Sequence, residues 1–513
     1  MGKSRVVNVC ACTLLLASVG MSDSRSAAAP ASRPNIIVVL ADDMGFSDLG
    51  CYGGEIKTPT IDGLAKEGIR FSQFYNCAIC GPSRASLMTG CYPWNVGQKP
   101  GADIFANLTK NCTTIFEQLK EAGYETCAVG RLDMVVGDDW HNPEHIARHV
   151  DRSLGSASGG PGNYYREVGG TPWFRDGKRW DRPAGAYSTD LISDFVAKFI
   201  EGTAGSDQPF FIYVSHYAPH WPLQADEQHI APYRDIYEKT GRAKLMQARL
   251  DRLIEDGLIP RGTTLHQSAL NATSPHDSTP FSERAAIHAA MVESIDRSVA
   301  DMMAALKKAD KLENTLVLVL SDNGASHQIY ADRVPTGARI GSVETFVCQG
   351  SALAALNNTP FRDYKTSDYE GGIASPLVAW WPKGLKDKGR ITHRLSHIAD
   401  IMPTCLELAG AAYPATFKDR TVIPLAGKSF VNVLHGNPPN GDANRVIAFP
   451  AALRDGEWKL MLGKSPELYN LREDRNETKN LAAKYPERVK TMQQMHVPLV
   501  DGSRRALPST AIE

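Results

Sequence analysis

Two short, wholly apolar runs constrain the fold of this chain more than any other feature. They are Asn35 to Leu40 (NIIVVL) and Thr315 to Leu320 (TLVLVL), and acidic residues follow within two positions of each. β-Branched runs of this length are typical of strands buried on both faces of a parallel sheet. Because ligands bind at the carboxyl ends of such strands, both acidic clusters lie where a functional site is expected.

The order of the other patterns predicts an α/β fold. Strand-like and helix-like segments alternate along most of the chain, which indicates a large mixed, mostly parallel sheet sandwiched by helices. Toward the C-terminus, short strand-like pieces separated by turn signals are followed by a helical pattern. We therefore predict a main α/β domain over residues 30–415 and a small C-terminal α+β domain, an antiparallel sheet plus a helix, over residues 416–513.

The main helical patterns have bounds that the structure can test. Helices are predicted over Thr60 to Ile69, Thr113 to Ala122, Leu191 to Ile200, Arg284 to Lys308, His397 to Leu408, and Pro486 to Met495.

The two acidic clusters predict a metal site. Asp42 and Asp43 follow the first apolar run, and Asp322 and Asn323 follow the second. If the two strands are parallel neighbours, three carboxylates and an amide oxygen converge, and this much buried negative charge requires neutralisation. An all-oxygen set favours a hard cation, Ca²⁺ first and Mg²⁺ second. Helix capping or a turn is the alternative explanation of an isolated aspartate pair.

The run from Ala78 to Gly90 (AICGPSRASLMTG) predicts a helix that begins near Cys80. Pro82 suits the first turn of a helix, and Gly90 suits its end. Residue 80 would then lie at the positive end of the helix dipole, which favours anions. The alternative is an ordinary structural cysteine beside a helix start.

The N-terminus has the pattern of a secretory signal peptide, which we assign to residues 1–29. Lys3 and Arg5 form a basic region, an apolar run follows, and small residues precede Pro30. The interpretation implies a secreted or periplasmic protein; an uncleaved anchor is the alternative. No later apolar run is long enough to span a bilayer, so no stable membrane span is predicted.

Charge and cysteine content restrict the partners. The formal net charge is -1, which gives no support for a nucleic-acid partner. Apart from Cys80 and the two cysteines of the N-terminal segment, seven remain, an odd number that rules out complete intramolecular pairing. They are Cys51, Cys77, Cys91, Cys112, Cys127, Cys348 and Cys405.

The segment at Cys80 resembles the signature of the sulfatases, Cys-x-Pro-Ser-Arg followed by an apolar residue, Thr and Gly. The resemblance extends over nearly the whole chain after the N-terminal segment. Its other motifs are Thr58 to Asp62, Ser321 to Gly324, Glu370 to Gly372, Trp458 to Leu460, and Glu467 to Leu471. It implies the alkaline-phosphatase-like fold, with catalysis in the main domain.

The resemblance also implies how the site is built. In the family the cysteine is oxidised to formylglycine, so Cys80 would be matured by a formylglycine-generating enzyme into an aldehyde that acts as the nucleophile. Asp42, Asp43, Asp322 and Asn323 match the residues that bind a divalent cation, usually Ca²⁺, which also holds the hydrated residue 80.

Three cationic or titratable residues match the sulfate-binding residues of the family. Arg84 would hold the hydrated aldehyde, His220 would contact the sulfate, and Lys365 would grip a sulfate oxygen near the leaving group. Without the resemblance these residues would be interpreted as a surface arginine, a structural histidine and a solvated lysine.

One segment departs from the family pattern. After Gly123-Tyr124-Glu125-Thr126, sulfatases commonly have Gly-Lys-x-His, but here Arg131 stands at the lysine position and Asp133 at the histidine position. Arginine keeps the charge but replaces a point donor with a planar fork. A carboxylate at Asp133 could act as a base but would repel sulfate, and His141 downstream is a possible substitute.

These patterns favour a sulfuric ester hydrolase that acts on sulfate esters, with a sulfated carbohydrate as the expected substrate. The first alternative is a phosphonate or phosphodiester hydrolase, because related metal sites serve phosphoryl chemistry. The second alternative is a catalytically silent protein that binds sulfated glycans, prompted by Asp133.

Overall fold

The fold is described from a computed structural model. The model describes residues 1–2, 33–98, 108–132, 149–156, 163–165, 172–273, 279–328, 330–437 and 445–500. The chain divides into two units, Met1–Ser32 and Arg33–Glu513, and the following account concerns the second. The proposed signal peptide, Asp133 and His141 lie outside the described residues, apart from the first two positions of the chain.

A ten-stranded sheet forms the centre of the molecule, with strand order β12-β2-β11-β9-β1-β8-β4-β5-β6-β7. Its five central strands, β9 to β5 in that order, are parallel to one another. The bounds are β1 Asn35–Ala41, β2 Ile69–Phe71, β4 Glu125–Arg131, β5 Arg152–Ser156, β6 Trp173–Arg175, β7 Lys178–Trp180, β8 Phe210–Ser215, β9 Thr315–Ser321, β11 Leu377–Trp380 and β12 Arg390–Thr392.

Burial on both faces explains why β1 has no polar alternation. Ile37 and Val39 belong to the hydrophobic core on one side of the sheet, whereas Ile36, Val38 and Leu40 belong to the core on the other. Each such side chain gains about 1.5–3 kcal/mol from leaving water. The predicted mixed, mostly parallel sheet between two helical layers is therefore confirmed.

The α-helices cover the sheet. The longest, Phe281–Lys308, packs against Ser188–Gly202 and Glu227–Thr240. The other α-helices in the described ranges are Pro59–Glu67, Cys80–Thr89, Ile115–Glu121, Arg242–Glu255, Gln267–Leu270, Gly350–Asn357, Glu370–Ile373, Ile401–Ala409, Val431–Leu434 and Pro486–Val500.

The prediction of one helix over Thr60 to Ile69 is wrong at its end. The helix stops at Glu67, and Ile69 already belongs to β2. At Gly68 a Cβ atom would lie 2.4 Å from the carbonyl oxygen of Ala379, so the chain passes directly against the neighbouring strand β11. The prediction over His397 to Leu408 is also corrected, because a 3-10 turn, Ile398–Asp400, precedes the α-helix.

The C-terminal strands and helix form where the sequence predicts them. Four antiparallel strands, β16 Val446–Phe449, β17 Ala452–Asp455, β18 Trp458–Met461 and β19 Glu467–Asn470, pair in sequence order. The helix Pro486–Val500 packs on this sheet. The domain boundary at residue 416 stays a prediction.

A buried ion cluster joins this small sheet to the main part of the molecule. Lys459 Nζ lies 3.1 Å from Oε1 of Glu370 and 2.7 Å from Oε1 of Glu477, and Arg475 Nε donates to Oε2 of Glu370 at 2.6 Å. Glu370 begins the short helix Glu370–Ile373 of the main part, whereas Lys459 lies in β18. These ion pairs therefore connect the small sheet to the main part.

Within the described part of the chain, the structure contains no helix that is both long and apolar enough to cross a membrane. All eight cysteines in that part, including Cys80, are free thiols.

One three-stranded sheet and one two-stranded pair are the remaining β-sheets of the described residues. Strands β3 Phe74–Tyr75, β10 Ala374–Ser375 and β13 Ser396–His397 form a small sheet, and β14 Thr416–Phe417 pairs with β15 Arg420–Thr421.

Candidate active site

Strands β1 and β9 bring the two acidic clusters together. The strands are parallel neighbours, with Ala41 paired to Ser321, so the residues that follow them emerge side by side. The backbone N–H of Asp43 donates to Oδ1 of Asp322 at 3.3 Å, and Asn323 Nδ2 donates to Oδ1 of Asp43 at 2.6 Å. The condition for convergence of the two clusters, that the strands are parallel neighbours, is therefore met.

The oxygen atoms at this point fit a divalent cation. Asp42 Oδ1, Asp43 Oδ2 and Asn323 Oδ1 are buried, and none has a hydrogen-bond partner among the residues that the structure describes. Ligand atoms of Asp42, Asp43 and His220 all lie within 4.8 Å of one another. Buried oxygens are normally hydrogen-bonded, so three unpaired oxygens in one place indicate a binding position for a positive ion. Carboxylate and amide oxygens are the preferred ligands of Ca²⁺ and Mg²⁺.

The crowding of carboxylates also indicates a cation site. Burial raises the pKa of Asp322, and the neighbouring carboxylate of Asp42 raises it further. Asp43 has a left-handed backbone, with φ of 68°, which is uncommon for a residue with a side chain and is often found at functional sites.

Cys80 is the first residue of the helix Cys80–Thr89, as predicted. Gly90 ends the helix with φ of 67°, and its N–H donates to the carbonyl of Ser86. The Cys80 side chain is buried, and burial raises the pKa of its thiol although Arg131 and Lys365 are nearby. An unmodified Cys80 is therefore a thiol at neutral pH, not the thiolate that cysteine nucleophiles require.

Arg131 is the arginine that contacts both residue 80 and the acidic cluster. Its Nη1 lies 2.5 Å from Oδ2 of Asp42, and its Nη2 lies 3.3 Å from the sulfur of Cys80. It is the last residue of β4 and is buried. The planar fork uses one nitrogen for each partner, which a lysine ammonium at the same backbone position would do less rigidly.

Arg84 lies on the same helix as Cys80, but its ion pairs are with the acidic residues. Its Nε and Nη2 atoms lie 3.0 and 2.7 Å from Oδ2 of Asp322, and Nη2 lies 3.3 Å from Oδ2 of Asp42. It also donates to the hydroxyls of Tyr213 and Ser215. Among the described residues Cys80 is not a hydrogen-bond partner of Arg84, so this arginine acts first on the oxygens that surround the cation position.

Lys365 and His220 complete the predicted set. The ammonium of Lys365 lies 2.7 Å from Oδ1 of Asp43, and Nε2 of His220 lies 3.7 Å from Oδ2 of the same residue. Burial alone would lower the pKa of Lys365, but the Asp43 carboxylate raises it, so the lysine is charged. Burial lowers the pKa of His220, whose Nδ1 faces the carbonyl of Trp221 at 2.7 Å. In the neutral ring that contact assigns the proton to Nδ1 and leaves the Nε2 lone pair toward the site.

The contacts described above link every predicted site residue whose structure is known. Only Asp133 and the proposed substitute His141 fall outside the described residues. The linked residues are Asp42, Asp43, Cys80, Arg84, Arg131, His220, Asp322, Asn323 and Lys365.

Gln349 is a buried residue behind the site that the sequence interpretation missed. Its Nε2 donates to the carbonyls of Asp43 at 3.4 Å and Pro219 at 3.2 Å, and its Oε1 accepts from the N–H of Ser326 at 2.7 Å. It therefore ties together the loops that follow β1, β8 and β9. A glutamine in a loop gives no sequence signal for such a role, because the role depends on three distant backbone segments.

The comparisons with known proteins agree with this site. The sequence model of the family described as Sulfatase matches residues 34–411. The arylsulfatase of Klebsiella aerogenes is 30% identical over 442 residues, which cover 78% of this chain and 92% of the relative. The chain therefore belongs to the sulfatase family, and it is a sulfuric ester hydrolase.

Solved structures share the fold. Ps i-CgsB in complex with k-i-k-neocarrahexaose superposes with a TM-score of 0.67 and 25% identity, covering 90% of this chain and 92% of that one. The phosphonate monoester hydrolase of Agrobacterium radiobacter has a TM-score of 0.60 at 20% identity, covering 92% and 96%. The second likeness concerns the fold alone, which hosts more than one reaction.

Proposed function

We propose that this sulfatase uses a formylglycine made from Cys80, together with a bound Ca²⁺, to cleave sulfate esters of carbohydrates. One arrangement carries the proposal: a buried, protonated thiol at a helix N-terminus that contacts Arg131 and lies beside orphaned acidic oxygens. As a thiol, residue 80 is a poor nucleophile. Oxidised and hydrated to a gem-diol, it would supply one hydroxyl that attacks sulfur while the bond from sulfur to the alcohol oxygen breaks and the alcohol leaves. Deprotonation of the second hydroxyl would then expel the sulfate and restore the aldehyde.

The residues around position 80 have roles that follow from their contacts. Arg131 bridges residue 80 and Asp42, so we assign it to orienting the nucleophile and stabilising negative charge on the sulfuryl oxygens. Lys365 is a charged donor 2.7 Å from Oδ1 of Asp43 and is assigned to a sulfate oxygen near the leaving group. The Nε2 atom of His220 carries a lone pair in the neutral ring and a proton in the charged ring. We therefore assign His220 to proton transfer and sulfate contact.

The cation would be held by Asp42, Asp43, Asp322 and Asn323, with residue 80 beside them. A divalent ion there supplies Lewis-acid polarisation of a sulfate oxygen. We propose Ca²⁺ rather than Mg²⁺, because irregular all-oxygen sites suit the larger ion, whereas Mg²⁺ demands near-octahedral geometry.

Asp133 remains a candidate base in place of the histidine common in the family. Replacing it with asparagine keeps the size and removes the charge. Unchanged turnover in Asp133→Asn would remove this residue from the mechanism, and a matched His141→Asn variant would show whether that histidine substitutes for it.

A carbohydrate substrate is supported by the relatives. Ps i-CgsB is described in complex with a neocarrahexaose, and a relative from dog, 29% identical over 427 residues, is an N-acetylgalactosamine-6-sulfatase. We also propose export to the periplasm or the exterior, supported by the basic and apolar N-terminal pattern, and maturation by a formylglycine-generating enzyme.

Two measurements test the function. Peptide mass analysis of the segment that contains residue 80 reports whether the sulfur has been replaced by the aldehyde. Turnover of 4-nitrophenyl sulfate is then compared with that of 4-nitrophenyl phosphate and a phosphonate monoester on the same matured protein. Active protein that retains the sulfur would contradict the formylglycine assignment. A preference for the phosphorus esters would favour the first alternative function, and binding of sulfated glycans without turnover the second.

A further inference from the structure

A patch of aromatic side chains adjoins the catalytic histidine. The ring centroid of Trp221 lies 4.5 Å from that of His220, 5.0 Å from that of Tyr330 and 5.5 Å from that of Phe346. Tyr330 is 50% exposed. Exposed aromatic residues are common singly, but this group is contiguous and begins at a ring that lines the active site.

The loop that supplies this patch is fixed in place by hydrogen bonds. Arg333 and Phe346 exchange two backbone hydrogen bonds of 2.9 Å, which pins the two sides of the loop together. Trp221 Nε1 donates to Oε1 of Gln328 at 3.0 Å, which ties the patch to the segment that follows β9. Trp221 and the backbone at Phe346 are therefore held in position before any ligand arrives, and this lowers the entropic cost of binding.

Arg333 stands at the edge of the patch and has no acidic partner among the described residues. The guanidinium carbon of Arg333 lies 4.4 Å from the ring centroid of Phe346, and the residue is exposed. Other arginines nearby do have carboxylates: Arg284 pairs with Asp332, and Arg339 pairs with Glu227. Within the described part of the chain no carboxylate lies within ion-pair distance of Arg333, so its charge is available to a ligand.

We infer that Trp221, Tyr330 and Arg333 form a subsite for the saccharide that carries the scissile sulfate, an assignment that rests on the proposed function. A sugar ring presents a flat C–H face that packs against aromatic rings, as other apolar groups do. A guanidinium matches the oxygens of a second acidic substituent, a sulfate ester or a carboxylate, with paired hydrogen bonds. The substrate class is thus a glycan with at least one acidic group besides the ester that is cleaved.

The first test separates stacking on Tyr330 from general effects. We expect Tyr330→Ala to lower the ratio of kcat/KM for a sulfated saccharide to that for 4-nitrophenyl sulfate about tenfold, equivalent to about 1.4 kcal/mol. Tyr330→Phe should keep the ratio, because the ring is retained. Val334→Ala, an exposed position on the same loop, is the matched control and should leave both rates as in the wild type.

The second test addresses the charge of Arg333. Glucosamine 2-N,6-O-disulfate is compared with glucosamine 6-O-sulfate, and a 6-O-sulfated disaccharide that bears a uronate is compared with its reduced, neutral form. In the wild type the acidic member of at least one pair should have the lower KM. Arg333→Met, which keeps the packing on Phe346, should remove that difference, and the affected pair identifies the acid as sulfate or carboxylate.

The outcomes distinguish the subsite from the function. Absence of any sulfate ester hydrolysis, 4-nitrophenyl sulfate included, would overturn the proposed function and the subsite with it. Hydrolysis of 4-nitrophenyl sulfate with no turnover of the four saccharides would overturn the subsite alone. So would an equal loss on both kinds of substrate in Tyr330→Ala, or a difference in KM that survives Arg333→Met.

Discussion

Arg131 Nη1 lies 2.5 Å from a carboxylate oxygen of Asp42, while its Nη2 lies 3.3 Å from the sulfur of Cys80. One side chain thus joins the residue proposed as nucleophile to the residues proposed to hold the cation. Burial of both partners makes these contacts strong, because little water screens them.

The first prediction concerns this bridge. Arg131→Met should lower kcat for 4-nitrophenyl sulfate about 10²–10³-fold, the loss typical of a charge-stabilising donor. The kcat of Arg131→Lys should lie between those of the wild type and Arg131→Met, because an ammonium reaches one partner and not both. Residue 80 must be matured equally in each variant, as checked by mass analysis, and Arg179→Met, at an exposed position, is the control. Wild-type kcat in Arg131→Met would contradict the assigned role.

The second prediction concerns the cation. Chelation should abolish activity and lower the temperature of unfolding, because Arg84, Arg131 and Lys365 alone then offset the repulsion among the carboxylates of Asp42, Asp43 and Asp322. Added Ca²⁺ should restore both properties at a lower concentration than Mg²⁺. The measurement is elemental analysis of the chelated protein together with its rate. A metal-free protein that turns over at the original rate would remove the cation from the mechanism.

The third prediction concerns Lys365. Lys365→Met should lower kcat about 10²-fold or more, because a charged donor aimed at the sulfate is lost. It also leaves Asp43 without its closest cation, so a fall in stability accompanies the fall in rate. Lys383→Met, at an exposed position, provides the comparison for removal of a lysine. The assigned contact is wrong if Lys365→Met changes stability only.

The fourth prediction is a pH dependence of stability away from the site. Arg249 donates to both oxygens of Glu55 at 2.7 and 2.8 Å. Burial alone would raise the pKa of Glu55, but Arg249 lowers it to about 2. The folded-state pKa is below the unfolded one, so the pair stabilises the fold above pH 4.5 and its contribution is lost as the pH falls toward 2.

The size of this effect follows from the shift in pKa. We expect Glu55→Gln to remove about 3 kcal/mol of stability at pH 7 and much less at pH 3, measured by urea-induced unfolding. Glu121→Gln, at an exposed helix end, should give parallel curves. A loss for Glu55→Gln that is equal at both pH values would contradict the assignment.

The fifth prediction concerns Gln349 as a positioning residue. Gln349→Met should destabilise the fold by about 1–3 kcal/mol, because two buried carbonyls and one N–H lose their partner. It should also lower kcat more than it raises KM, because Asp43 and the segment before His220 lose their alignment. Compared with Gln349→Met, Gln349→Glu has the acceptor for the Ser326 N–H but no donor for the two carbonyls. It should therefore recover less than half of the loss in stability and in kcat. A variant with reduced stability and normal kcat would limit Gln349 to a structural role.

Much of the fold follows from patterns that are local in the chain. The apolar runs predict β1 and β9 because a strand buried on both faces needs no polar alternation. The helix at Cys80 is predicted by Pro82 and Gly90. The end of the first helix was missed because Gly68 adopts its conformation against β11, a strand more than three hundred positions away in the chain.

Among the site residues, too, some could be predicted from local patterns and others could not. Asp42, Asp43, Asp322 and Asn323 are recognisable because they follow strands, and Cys80 because its motif is contiguous. Gln349 and the patch around Tyr330 are not, since their partners come from separate loops. The helices Glu227–Thr240 and Arg242–Glu255 were also missed, because both are rich in charged residues and the first contains Pro232, a residue that normally ends a helix.

The sequence by itself determined the two acidic strand ends, the contiguous motif at Cys80 and the alternation of strands and helices that defines the fold class, because each depends on neighbouring residues. Only the tertiary structure decided that Arg131 reaches both Asp42 and Cys80, that Arg84 turns to Asp322, and that Trp221 meets Tyr330. The physical reason is that such contacts depend on the register of parallel strands and on loop packing, to which distant segments contribute jointly.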